Sequence, residues 1–179
     1  MNIRRVGVSP RRRVICKNQI FMNEVSINKN KKLSEHFTLG ELTKTSYHTL
    51  DGNIPSHVAI ENLTRLCLWL ELLRERYNRL YGDATREIPV IITSGYRSEE
   101  VNRLCGGAKG SNHLTGCAVD IRCAGPEQMI RYACILLDTA DENGWELDEL
   151  IQEKRGTTYW VHFAVRPKDN RRKILFDCR

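Results

Sequence analysis

No stretch of this 179-residue chain approaches the roughly 18–20 consecutive apolar residues that span a bilayer, so a transmembrane helix is not expected. No apolar segment follows the N-terminal arginines in the manner of a conventional signal peptide, and export would need another route. The seven cysteines (Cys16, Cys67, Cys105, Cys117, Cys123, Cys134 and Cys178) are odd in number and show no CxxC spacing. That disfavours both a disulfide framework and a cysteine zinc cluster, and it fits synthesis in a reducing compartment. Cys67, Cys117 and Cys134 stand among apolar neighbours and are expected to pack as small core residues. There are no internal repeats.

What is present suits one soluble domain with a sizeable core. Its charge is uneven. Residues 1–32 hold nine Lys/Arg against one acidic residue, a net of +8, so the other 147 residues carry −2 of the total +6. The expected division is a basic, partly extended leader over 1–32 and a folded domain over 33–179. The leader has the charge to touch nucleic acid, an acidic wall polymer or a membrane surface, although a solvated tail is the plainer reading. A short β-prone segment lies between Val14 and Ile27.

Within the body, Thr38 and Glu41 form a capping-box pair for a short helix over Phe37–Leu42. Asp51-Gly52-Asn53 reads as a turn. From His57 to Leu80, apolar residues recur with helical spacing over about six turns; His57 itself reads as a surface or cap residue. Ile88–Thr93 reads as a strand, Ser94–Ser98 as a turn, and Ser98 as the cap of a helix over Glu99–Leu104. Ala118–Arg122 reads as a second strand. Pro126 opens another amphipathic helix, which Asn143-Gly144 stops. Leu150–Glu153 and Tyr159–Val165 form a hairpin whose predicted loop is the five residues 154–158. The expected architecture is α+β: a small, mostly antiparallel sheet with helices packed on one side.

Chemistry concentrates in Ser111-Asn112-His113-Leu114-Thr115-Gly116-Cys117-Ala118-Val119-Asp120 and in Trp160-Val161-His162. Two imidazoles and one carboxylate suit zinc and leave a coordination position open, as a hydrolytic metal requires. A lone strand histidine is usually a packed or surface residue, but a carboxylate within Ala-Val-Asp-Ile needs a partner. His113, Asp120 and His162 are therefore the candidate zinc ligands, all expected on strands or strand ends. Glu153, at the end of the strand preceding His162, is the candidate general base. Arg97 is the candidate cation for a substrate carboxylate or a developing oxyanion.

The blocks Ser94-Gly95-Tyr96-Arg97-Ser98, Ser111-x-His113-x-x-Gly116-x-Ala118-x-Asp120 and Trp160-Val161-His162 resemble, in order, those of the zinc D-Ala-D-Ala carboxypeptidase family. That family includes phage endolysins and is similar in fold to the hedgehog signalling domain. The resemblance spans roughly residues 34–177. It implies zinc on His113, Asp120 and His162, and an acidic base shortly before His162. Many members carry that acid three residues before the last ligand, where this chain has Tyr159. Others carry it six before, at the end of the preceding strand; Glu153 stands nine before, with Glu149 and Glu146 in reserve. The implied substrate is the peptide stem or cross-bridge of bacterial peptidoglycan, cut beside a D-amino acid by a monomeric carboxypeptidase or endopeptidase. A phage or prophage lysin, made in the cytoplasm and reaching the wall through a membrane lesion, is the expected setting. A non-catalytic zinc-containing binding module of the same fold is the alternative. Nucleic-acid binding through the leader has no support in the body.

Overall fold

Apolar spacing along residues 57–81 dictates the longest element. In the computed structural model, which describes residues 27–83 and 85–178, helix α2 runs His57–Tyr81. The Ser56 hydroxyl caps it by accepting from the Ala59 amide. Leu63, Leu66, Leu70, Leu73 and Tyr77 line its buried face. Each such burial contributes about 1.5–3 kcal/mol relative to exposure. Before α2 comes α1, Leu39–Leu42, with the expected Thr38–Glu41 capping box. Residues 29 and 31 lie against it: the amides of Gly40 and Leu39 donate to the carbonyls of Lys29 and Lys31. The leader before residue 27 lies outside the described residues.

Helix α3 is Glu99–Leu104, capped by Ser98 as expected. Helix α4, Pro126–Asn143, starts with its proline in the first turn and stops at Gly144 in the left-handed region (φ 63°). Met129, Tyr132, Ala133, Leu136 and Ala140 face inward from α4. Cys67 and Cys117 are buried, but Cys134 is exposed. It lies between the inward positions Ala133 and Ile135, where helical geometry turns a side chain to solvent despite apolar neighbours.

Among the described residues the sheet has five strands in the order β1-β2-β4-β3-β5: β1 Ile92–Ser94, β2 Ala118–Cys123, β3 Glu149–Arg155, β4 Thr158–Ala164 and β5 Lys173–Cys178. All pairings are antiparallel except β3 with β5. Partners across a ladder share a face. Val119, Ile121, Leu150, Val161 and Phe163 lie in the hydrophobic core with α2 and α4. The other face carries Asp120, opposite His162, which is opposite Ile151. The α+β architecture with helices on one side is as expected.

Three sequence boundaries move. Ile88–Thr93 gives a strand only from Ile92. The Asn78 side chain takes both the Ile88 amide (2.7 Å) and the Ile88 carbonyl (2.9 Å), and Pro89 has no N–H to offer a ladder. The β3–β4 loop is not five residues. The ladder continues through Lys154–Tyr159 and Arg155–Thr158, leaving a two-residue turn, Gly156-Thr157, in which Gly156 has φ 58°. Glu149, expected before the strand, begins it. Strand β5 has no counterpart among the elements expected from sequence.

Candidate metal centre and groove

His113 lies not on a strand but in a 3-10 turn, Asn112–Thr115, where Ser111 caps and Gly116 ends the turn. Gly116 has φ 71°, and a Cβ there would stand 2.4 Å from the Ala59 carbonyl oxygen, so the motif needs glycine twice over. The amide of Asn62, on α2, donates to the Thr115 carbonyl and fixes the turn on the helix (2.9 Å). The His113 ring is buried, with Nδ1 2.6 Å from the Gly95 carbonyl oxygen. A carbonyl only accepts, so Nδ1 carries the proton and Nε2 presents its lone pair. Gly95 has its own constraint: a Cβ would meet the Leu42 carbonyl oxygen at 2.3 Å.

His113 Nε2 lies 3.3 Å from Asp120 Oδ1, and His162 Nδ1 lies 2.9 Å from the same oxygen. Donor atoms of the three residues all fall within 4.8 Å of one another. Two imidazole nitrogens and a carboxylate oxygen facing one point fit a three-ligand zinc site with a fourth position open. The expected ligand set is thus brought together.

Electrostatics tighten it. Burial opposes charge on Asp120, but His113 and His162 overcome it and hold the carboxyl far below its ordinary range. Burial likewise disfavours charge on His162, yet its hydrogen bonds to Asp120 and Glu149 outweigh that and raise it to about 9 without metal. Arg97 pairs with the second oxygen of Asp120, and its Nε donates to the Ser94 hydroxyl at 2.7 Å. Arg97 thus lines the groove, paired with the candidate ligand carboxylate.

The centre opens into a cavity of about 620 Å³ whose walls include Arg97, Ser111, Glu153, Trp160 and Asp177. Glu149 and Glu153 stand two residues to either side of Ile151, the residue opposite His162, so both acids share the metal face. Glu153 is half-buried. Burial and the nearby negative charge of Asp120 push its carboxyl upward, against opposing effects from His162 and a hydrogen bond from the Trp160 indole. Glu149 is different. Its hydrogen bond to His162 leads, opposed by burial, and the carboxyl falls to about 2.

Several residues of this scaffold escape motif reading. Asn53 is buried with φ 53°; its side chain donates to the carbonyls of Thr43 and Tyr96 and accepts from the Ser98 amide, holding both ends of the Tyr96–Ser98 segment. Asn112 donates to both Asp148 (2.7 Å) and Glu149 (3.0 Å), joining the His113 turn to β3. Asp148 is fully buried and grips Arg171. The one local signal was Asn112's place beside His113.

Fold and donor set together define a candidate metalloprotein whose three-ligand centre opens into a groove. The chain belongs to the Peptidase M15 family, which it matches over residues 35–150. That span contains His113, Asp120 and the first two residues of β3, and stops before His162. M15 peptidases are zinc-dependent. No curated protein matches the chain.

Proposed function

We propose that this protein is a zinc peptidase that cuts the peptide part of bacterial peptidoglycan beside a D-amino acid. The supporting observation is the convergence of His113, Asp120 and His162 on one point beside a groove walled by Glu153. Zinc bound there would act as a Lewis acid, polarising the scissile carbonyl and making water more acidic. Glu153 takes a proton from the attacking water and passes it to the leaving amine. Its surroundings suit that work, because a carboxyl raised above its ordinary pKa is a better proton carrier near neutral pH. The Trp160 indole orients it. Arg97 holds Asp120 charged with part of its donor fork and offers positive charge to the substrate's oxyanion or carboxylate. In this reading residues 33–179 form the catalytic domain and residues 1–32 a basic leader whose end, at Lys29 and Lys31, is hydrogen-bonded to α1, and the enzyme acts on the wall as a monomeric lysin.

Digestion of purified peptidoglycan, with products identified by mass spectrometry, tests the proposal. The zinc-loaded protein should release new peptide ends, and a chelator should abolish them. Glu153→Gln should keep zinc affinity but lower kcat by at least about 100-fold. Absence of products from the zinc-loaded protein would favour a binding module. Full activity in the Gln variant would remove Glu153 from the mechanism.

A further inference from the structure

Sequence spacing makes Glu149 a reserve proton carrier, but its contacts argue for different work. Glu149 Oε2 lies 3.4 Å from His162 Nε2, on the opposite side of the imidazole from Asp120. The same oxygen accepts from the Asn112 amide at 3.0 Å. Its other oxygen lies 3.1 Å from the Arg171 guanidinium and 3.3 Å from the Lys173 ammonium. The side chain is only 14% exposed. Every oxygen is therefore engaged by a donor, which leaves this carboxylate poorly placed to take a proton from water.

An imidazole ligates through the nitrogen that lacks a proton, and the hydrogen bond at the other nitrogen selects which one that is. His113 is settled by the Gly95 carbonyl. At His162 the corresponding partner is Glu149, whose Oε2 lies against Nε2. Carboxylates flank both nitrogens, Asp120 Oδ1 at Nδ1 (2.9 Å) and Glu149 Oε2 at Nε2 (3.4 Å), so without metal each nitrogen holds a proton; a cation between Asp120 and His113 would displace the one on Nδ1, and Glu149 keeps the one on Nε2. Asn112 then couples the two selections, because it precedes His113 in the turn and holds Glu149 through its amide.

We propose that Glu149 is a positioning residue: it fixes the tautomer and rotation of His162 so that Nδ1 faces the metal, and it is not the proton carrier. The proposal rests on the reading of His162 as a zinc ligand. It requires an acceptor at position 149, not a negative charge as such.

Zinc affinity, measured by chelator competition on the full chain, separates this role from that of Glu153. Glu149→Ala should weaken zinc binding by about 10–100-fold. Glu149→Gln, whose one side-chain carbonyl still accepts from Nε2–H although its NH2 then faces Arg171 and Lys173, should recover most of the zinc affinity and hydrolysis that Glu149→Ala loses. Nitrogen-15 NMR of the zinc-loaded proteins should show His162 coordinated through Nδ1 with Nε2 protonated in the parent and the Gln variant. If Glu149→Ala fails to fold, the Gln variant and the NMR assignment decide. Parental zinc affinity in a folded Glu149→Ala protein would overturn the proposal. So would coordination through Nε2, or a Gln variant that keeps zinc and loses hydrolysis. A parent that binds zinc through Nδ1 and cuts nothing would defeat the peptidase reading while leaving this one standing.

Discussion

Asp148 shows how much a single side chain away from the metal contributes. Its carboxylate is fully buried, receives two side-chain hydrogen bonds and one backbone hydrogen bond from Arg171, and accepts another from Asn112. Burial alone would raise its pKa; the Arg171 and Asn112 bonds reverse that and lower it below 3.8. A carboxyl depressed in the folded state contributes stability above its unfolded pKa, and that contribution fades as pH falls toward the folded value. Asp148→Asn should therefore cost about 3 kcal/mol at pH 7, near the lower end for a broken buried pair because Arg171 is half exposed. The deficit should shrink below about pH 4, where the unfolded parent takes up a proton that the folded carboxylate still refuses. Urea unfolding at pH 7 and pH 3.5 measures both quantities; an equal deficit at the two values would show that the charge is not what Asp148 contributes.

At the scale of elements, each part of the site is as good as the segment that presents it. The 3-10 turn bearing His113 is closed by Gly116 in a conformation that L side chains rarely adopt, pressed against the backbone of α2. Gly116→Ala should lower stability by about 2–3 kcal/mol, a drop in Tm of roughly 5–10 °C, and should weaken zinc binding because the turn shifts His113. Differential scanning calorimetry with and without zinc reads both. Elements with strong local signals were legible in the sequence. The capping box of α1, the apolar stripe of α2 and the Pro–Gly brackets of α4 are written within a few residues of the structure they make. The ligand triad was legible because its spacing follows a known family's pattern. The rest depended on contacts between distant residues. β5 reads as no strand until β3 offers a parallel edge, Glu149 acquires its place only once His162 is opposite Ile151, and the Ile88 segment loses its ladder to an asparagine ten residues earlier. The hairpin loop reads as too long for a plainer reason: Lys154, Arg155 and Thr158 look like loop residues, and a polar sequence can still extend a ladder when its neighbours already pair.

For the whole molecule, the sheet separates two kinds of chemistry. One face packs Val119, Ile121, Leu150, Val161 and Phe163 into the core, while the other holds the charged centre. The fold should not depend on the metal. Without it, Asp120 is still paired with Arg97 and hydrogen-bonded to His162. Chelation should abolish hydrolysis, leave the far-UV circular dichroism unchanged and lower stability only by the linkage amount, about 4 kcal/mol when free zinc had stood at a thousand times its dissociation constant. Collapse of the dichroism on chelation would mean that the metal also builds the fold.

The two-residue turn at Gly156-Thr157 bears on which insertions and deletions this chain tolerates. Side chains alternate along β3, so one residue added between Glu149 and Glu153 would send one of the two acids to the core face and bring a core residue to the groove. The damage from such a change is set by parity and not by size: in β3 a two-residue insertion keeps both acids on the metal face, and a one-residue insertion does not. Length can change freely only where the ladder has ended, at the turn. Residues added there leave the acid and the histidine facing the same side of the sheet.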